Sequence, residues 1–228
     1  MNTKNERAVV MRTRNAQFGM LGLAVCGVAF ASVVFAQQGD RRSSQQQTDT
    51  AQQAPDMDAM MQEWMKYSEP DEHHKLMEPM VGSFTAVAKM WMDPTSSEPT
   101  VSNATMESKW VLGGRFIKQH YISEFMGMPF EGIGMWGYDR YQERYTGYWW
   151  DTFGTTTYES KGSVNESGTT FTMYGVMQDP AQDGRLVRTR DVTRVINNDK
   201  HVMEMHHDLP DGSWMKVMEI TFTRANSS

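Results

Sequence analysis

The sequence predicts an all-β fold: an antiparallel, up-and-down barrel of eight to ten strands, preceded by short N-terminal helices. From Val81 onward the apolar residues alternate with a period of two, and ten segments of this kind succeed one another. The breaks between them carry pairs that suit tight hairpins: Gly113-Gly114, Asp183-Gly184, Asn198-Asp199 and Asp211-Gly212. Connections this short join only antiparallel neighbours, because a parallel crossover needs about a dozen residues or more. A sheet of so many strands closes on itself more readily than it leaves two long edges exposed, with a two-sheet sandwich as the alternative.

The chain opens with Lys4, Arg7, Arg12 and Arg14, followed by an uncharged stretch from Asn15 to Gln38 rich in Leu, Val, Ala and Gly. A small-x-small site stands at Val34-Phe35-Ala36. This is the layout of a secretory signal over residues 1–36, and it predicts a secreted or periplasmic protein. Retained, the apolar run is long enough to anchor the chain in a bilayer; cleaved, it leaves no stable membrane insertion. Leu23-Ala24-Val25-Cys26 faintly resembles a lipoprotein signal, but Val before the cysteine and the position midway along the run argue against lipidation. Cys26 is the chain's single cysteine, so cleavage leaves a mature protein with no disulfide or thiolate chemistry. Losing four basic and one acidic side chain takes the formal charge from −6 to −9. Such a balance opposes nucleic-acid binding, whose affinity comes largely from neutralising phosphates.

Residues 37–55 are Gln, Ser, Asp and Thr with almost no bulky apolar side chain, which predicts a flexible linker. Residues 56–79 predict short helices. Met57, Met60, Met61, Trp64 and Met65 fall at helical spacing behind Asp56, a capping residue, and a second helical piece covers 71–77. The Met-rich helix is a candidate plug for one barrel mouth or a dock for another chain. The barrel domain spans 80–225, with strands expected at 83–92, 100–111, 115–125, 130–138, 144–150, 155–163, 169–177, 185–196, 201–209 and 213–223.

Alternate residues of a barrel strand face inward, so a strand mixing polar and apolar groups on both faces hints at an interior that is not a dry core. Arg115, Ile117, Gln119 and Tyr121 share one face. Leu186, Val192 and Ile196 share theirs with Arg188, Arg190 and Arg194, and later strands offer Val202-Glu204-His206 and Val217-Glu219-Thr221. Inward charges must pair or meet water. The competing reading turns these faces to solvent and fills the core with Met203, Met205, Met215 and Met218. Trp136, Tyr138, Tyr145, Trp149, Trp150 and Tyr158 concentrate in the middle of the chain, either walling a cavity or simply packing it. The ligand-binding candidates are therefore Arg115, Tyr121, Trp136, Tyr138, Trp150, Arg190, Glu204 and Glu219. Asp151, Glu204, Glu219 and His206 are groups able to do acid–base work in a cavity. Asp151 also reads as a turn residue. No histidine spacing matches a zinc pattern, no nucleophile elbow or phosphate loop is present, and no cofactor is implied.

Residues 74–224 resemble the bacterial family known as domain of unknown function 1579. The resemblance runs through Met80-Val81-Gly82-Ser83-Phe84, Trp110-Val111-Leu112-Gly113-Gly114-Arg115-Phe116, Met128-Pro129-Phe130-Glu131-Gly132-Ile133-Gly134 with Gly137-Tyr138-Asp139, and Lys216-Val217-Met218-Glu219-Ile220-Thr221-Phe222-Thr223-Arg224. It implies a relative of the lipocalin-type barrels, which hold small apolar or amphipathic ligands, and no established activity. Within these motifs, the Arg115 fork is placed to pair a carboxylate such as Glu219 or Glu131. The reading that results is a barrel that binds a small, partly apolar molecule. An enzyme using a buried carboxylate or His, and a solid structural or interaction protein, are the alternatives. The sequence sets no oligomeric state.

Overall fold

A computed structural model of the chain describes residues 56–92, 97–179 and 184–225. The signal at 1–36, the linker at 37–55 and Asp183 lie outside the described residues. Two helices, α1 (Met57–Ser68) and α2 (Glu72–Lys75), and a 3-10 turn at Glu78–Met80 precede ten strands. These are β1 (Gly82–Met90), β2 (Thr100–Val111), β3 (Phe116–Phe125), β4 (Met128–Asp139), β5 (Arg144–Asp151), β6 (Tyr158–Val164), β7 (Thr170–Asp179), β8 (Arg185–Asn197), β9 (Lys200–Asp208) and β10 (Trp214–Arg224). Each strand pairs antiparallel with its neighbours in sequence, and β1 closes on β10. The result is a closed ten-stranded barrel rather than a sandwich.

Alternation in β1 sets the faces: Phe84, Ala86 and Ala88 are buried while Ser83, Thr85 and Val87 are exposed. Register carries this inner row around the barrel, through Ala104 and Met106 on β2, Tyr121 and Ser123 on β3, and Phe222, Ile220 and Met218 on β10. A bulge between Lys216 and Met218 then shifts β10 by one residue, so Lys216 lies outside with His206 while Met215 lies inside with His207.

Two hairpins depart from expectation. Asn198-Asp199 makes its turn without positive φ. Asn197 Oδ1 instead accepts the Asp199 N–H at 2.9 Å, beside an irregularity between Val195 and Asn197. The β3–β4 hairpin turns on Met126 and Gly127, both at positive φ (53° and 78°), although Met is a poor residue for that region.

One end of the barrel is shut by the segment between α1 and β1. Asp71 caps α2 and bonds His74 reciprocally, with backbone N–H to Nδ1 at 3.1 Å. His74 is buried edge-on to Tyr138, and Met77 and Met80 are buried against Ile117, Tyr145, Phe171 and Met173. Arg224 pins this cap by donating to the carbonyls of Val81 (2.8 Å) and Pro79 (3.1 Å), and the Tyr145 hydroxyl donates to His73 O at 3.0 Å. The Met-rich helix is not the plug. Asp56 caps α1 as expected, but none of its residues is buried, and Met57, Met61, Trp64 and Met65 are all more than half exposed.

Candidate functional site

The helical cap divides the interior into a packed half, where Trp110, Trp136, Tyr138, Tyr145 and Phe171 fill the barrel, and an opposite half toward the hairpins β3–β4, β5–β6, β7–β8 and β9–β10. An eight-stranded barrel is about narrow enough for side chains to fill, and ten strands enclose more. Yet in this second half the inward positions of four adjacent strands are small: Ala86 and Ala88, Ser102 and Ala104, Ser123, then Gly132 and Gly134. The remaining apolar lining comes from Tyr121, Phe130 and Trp149 on β3 to β5, and from Met203 on β9 and Met218 on β10. Met203, Met218, Trp149 and Phe130 are only half-buried although they face inward.

Glycines hold the large rings flat against the barrel wall. A Cβ on Gly132 would stand 2.2 Å from Trp149 Cζ2, so the indole occupies the place of a side chain there. Its Nε1 donates to Asp151 Oδ2 at 2.9 Å, while Asp151 Oδ1 accepts the Phe153 N–H at 2.9 Å. Asp151 thus starts the turn and also orients Trp149. Around the mouth Met92, Met126, Met128, Phe153 and Leu186 are exposed, and the Phe153 ring stands 5.0 Å from Phe130.

The polar inward groups come from β6 to β9, where Asp191 stands in register between Met173 and Met205. The Tyr158 hydroxyl reaches over Gly175 to donate to Asp191 Oδ2 at 2.5 Å, and meets Thr189 Oγ1 at 2.6 Å. Asp191 is 6% exposed, and its Oδ1 is buried with no hydrogen-bond partner. Burial pushes the Asp191 carboxyl up to about 6, against the counteracting bond from Tyr158. Burial, with the Asp191 charge beside it, also raises the Tyr158 phenol. His207, in register with Thr189, turns Nδ1 toward Asp179 Oδ2 at 3.7 Å, and its Nε2 is buried without a partner. Burial lowers the His207 imidazole from its ordinary value, against the opposing charge of Asp179.

Of the candidates named from sequence, Tyr121, Trp136 and Tyr138 face inward, and of these only Tyr121 borders the second half. Tyr138 stacks on His73 at 4.2 Å under the cap. Trp150 faces outward, stacked on Tyr148 at 6.1 Å. Arg190, Glu204 and Glu219 also lie on the outer face. There Glu204 joins Arg194, and Lys216 bonds Glu204 (3.4 Å) and Glu219 (2.6 Å). Arg190 lies over Trp214 at 5.0 Å. The physical reason is register: Asp191 and its odd-numbered neighbours on β8 are buried, which turns the arginine row outward, and Met203, Met205 and Met218 take the interior. Arg115 pairs neither Glu219 nor Glu131. It reaches Glu69 at 3.1 Å beside the cap, while Glu131 takes His120 at 2.7 Å. His206 likewise faces outward.

Asp191 and His207 were not among the binding candidates read from sequence, and Trp149 and Tyr158 were named only within the aromatic cluster that either walls a cavity or packs it. A signal existed. The face opposite the arginines of β8 reads Val187, Thr189, Asp191, Thr193, Val195, a β-branched row interrupted by one carboxylate. Among the described residues no group of three or more His, Cys, Asp or Glu is placed to share a metal ion, and no helix is long and apolar enough to cross a membrane.

The family described as "Protein of unknown function (DUF1579)" matches residues 69–224. Among solved structures, the crystal structure of Rv2717c from M. tuberculosis aligns with a TM-score of 0.51 at 13% identity, covering 69% of this chain and 100% of that one. At that identity the likeness shows the barrel fold alone. A redesigned β-barrel aligns with a TM-score of 0.34 at 9% identity, over 68% of this chain and 96% of that one, and carries no argument. No curated protein matches the chain.

Proposed function

The chain belongs to the DUF1579 family of proteins of unknown function, and from that premise we propose that it is a binding protein whose barrel takes a small, partly apolar molecule in its uncapped half. One observation carries this reading. A ten-stranded barrel encloses more than side chains readily fill, and Phe130, Trp149, Met203 and Met218 stay only half-buried although they face inward. Its lining is amphipathic, with Tyr121, Phe130, Trp149, Met203 and Met218 as apolar groups and Tyr158, Asp191 and His207 as polar ones. A few convergent polar groups in a largely apolar concavity is the usual make-up of a small-molecule site. The apolar lip offers such a molecule a way in. The signal-like layout read in residues 1–36 is in keeping with an exported carrier.

Native mass spectrometry of the chain purified without refolding, followed by extraction, tests the reading. A defined co-purifying molecule, or a saturable thermal shift from one member of an apolar panel, is expected. A bare mass with no shift across the panel moves the protein to the structural or interaction class.

One observation favours a second reading, acid–base chemistry in the same lumen: Asp191 is a buried carboxyl raised to about 6 and bonded to a phenol. A candidate reaction would have to stop in Asp191→Asn.

A further inference from the structure

We propose that the molecule held in the lumen is a primary amine with an apolar body, its ammonium seated between Asp191 and His207. The inference rests on the binding reading and names its ligand class. The two unpaired buried atoms of the lumen's polar lining are Asp191 Oδ1 and His207 Nε2, and they stand on neighbouring inward positions of β8 and β9, through the pairs Asp191 with Met205 and Thr189 with His207. Both are acceptors. Nδ1 of His207 faces the Asp179 carboxylate at 3.7 Å, a charge contact that favours the ring proton on Nδ1 and leaves Nε2 its lone pair. Asp191 Oδ2 already accepts from Tyr158, which leaves Oδ1 as a charged acceptor without a donor.

A buried acceptor without a donor is costly, and two side by side call for a group that donates more than once. A primary ammonium donates three times and neutralises the carboxylate. A carboxylate or phosphate ligand would instead place like charge against Asp191 and Asp179. Interior electrostatics point the same way. On the inward strand positions the basic residues are Arg224, committed to the cap, and Arg185, exposed at the outer lip opposite Asp179. The uncapped half otherwise presents Asp151, Asp179 and Asp191. The amine's apolar chain lies along Trp149, Tyr121 and Met218.

The test is calorimetric titration of the full domain at pH 7.5 with octylamine, octanol and octanoate, three probes of one chain length. Octylamine is expected to bind about tenfold or more tightly than either of the others, the scale of one charge-assisted hydrogen bond. Asp191→Asn should erase that preference while keeping the affinity for octanol, and His207→Gln should reduce it. Equal or tighter binding of octanol or octanoate overturns the amine assignment and leaves the lumen reading standing, as does an amine preference that survives in Asp191→Asn. Binding of none of the three overturns both.

Discussion

The Tyr158 hydroxyl crosses an intervening strand to donate to Asp191 Oδ2 at 2.5 Å, and it can do so because Gly175 lies beneath the ring: a Cβ there would stand 2.8 Å from both Cε2 and the hydroxyl oxygen. Tyr158→Phe should therefore cost about 1–3 kcal/mol, the penalty for leaving a buried acceptor unmet. Urea denaturation at pH 7.5 measures it. Because protonation relieves the stranded carboxylate, the loss should be smaller at pH 4.

Asp191 sets a pH signature. Its carboxyl rises from an ordinary 3.8 to about 6, so the folded state is favoured by protonation. That contribution is complete below about pH 4 and is lost as pH rises through about 6, a swing of about 3 kcal/mol. Asp191→Asn should accordingly be more stable than wild type at pH 7.5, with the advantage gone at pH 4. Equal gaps at the two pH values would contradict a buried carboxylate.

His201 works in the opposite direction. Stacked on Phe222 at 4.5 Å and edge-on to Phe84, it is held neutral by burial, with Arg224 adding to the effect, and titrates at about 4 instead of 6.5. Its contribution is complete above about pH 6.5 and is lost as pH falls through about 4, again about 3 kcal/mol. Replacement by Phe should flatten the acid limb of the stability curve measured by denaturant titration.

The outer charges should matter little to binding. Glu204 joins Arg194 and Lys216 on the solvent side, so Glu204→Gln should cost about 1 kcal/mol or less, shrink further in high salt, and leave ligand affinity unchanged. A large loss of affinity would return Glu204 to the site.

Much of the fold was legible because hairpin chemistry and alternation are local. All ten strands fall within a few residues of their expected positions, and 100–111 coincides with β2. The site was less so. Which of two mixed faces turns inward depends on register closed around the whole barrel, and the β10 bulge at Lys216/Met218 reverses the face in mid-strand. Arginines and glutamates drew attention as chemistry-bearing groups, whereas Asp191 sat inconspicuously in a β-branched row. Trp149 and Trp150 differ by one residue and lie on opposite faces, which alternation forces but does not orient.

The central claim is that the uncapped half of the barrel holds the ligand, and the direct measurement is one titration on two proteins. Ala104 faces inward between Ala86 and Ser123, so Ala104→Phe puts a ring into the lumen and leaves the outer surface untouched. With the fold checked by circular dichroism, one equivalent of apolar ligand should bind the wild type and quench Trp149, and binding to Ala104→Phe should fall about tenfold or more, as expected where a pocket of this kind is filled. Unchanged stoichiometry and affinity in the filled variant would place binding outside the barrel and contradict the account.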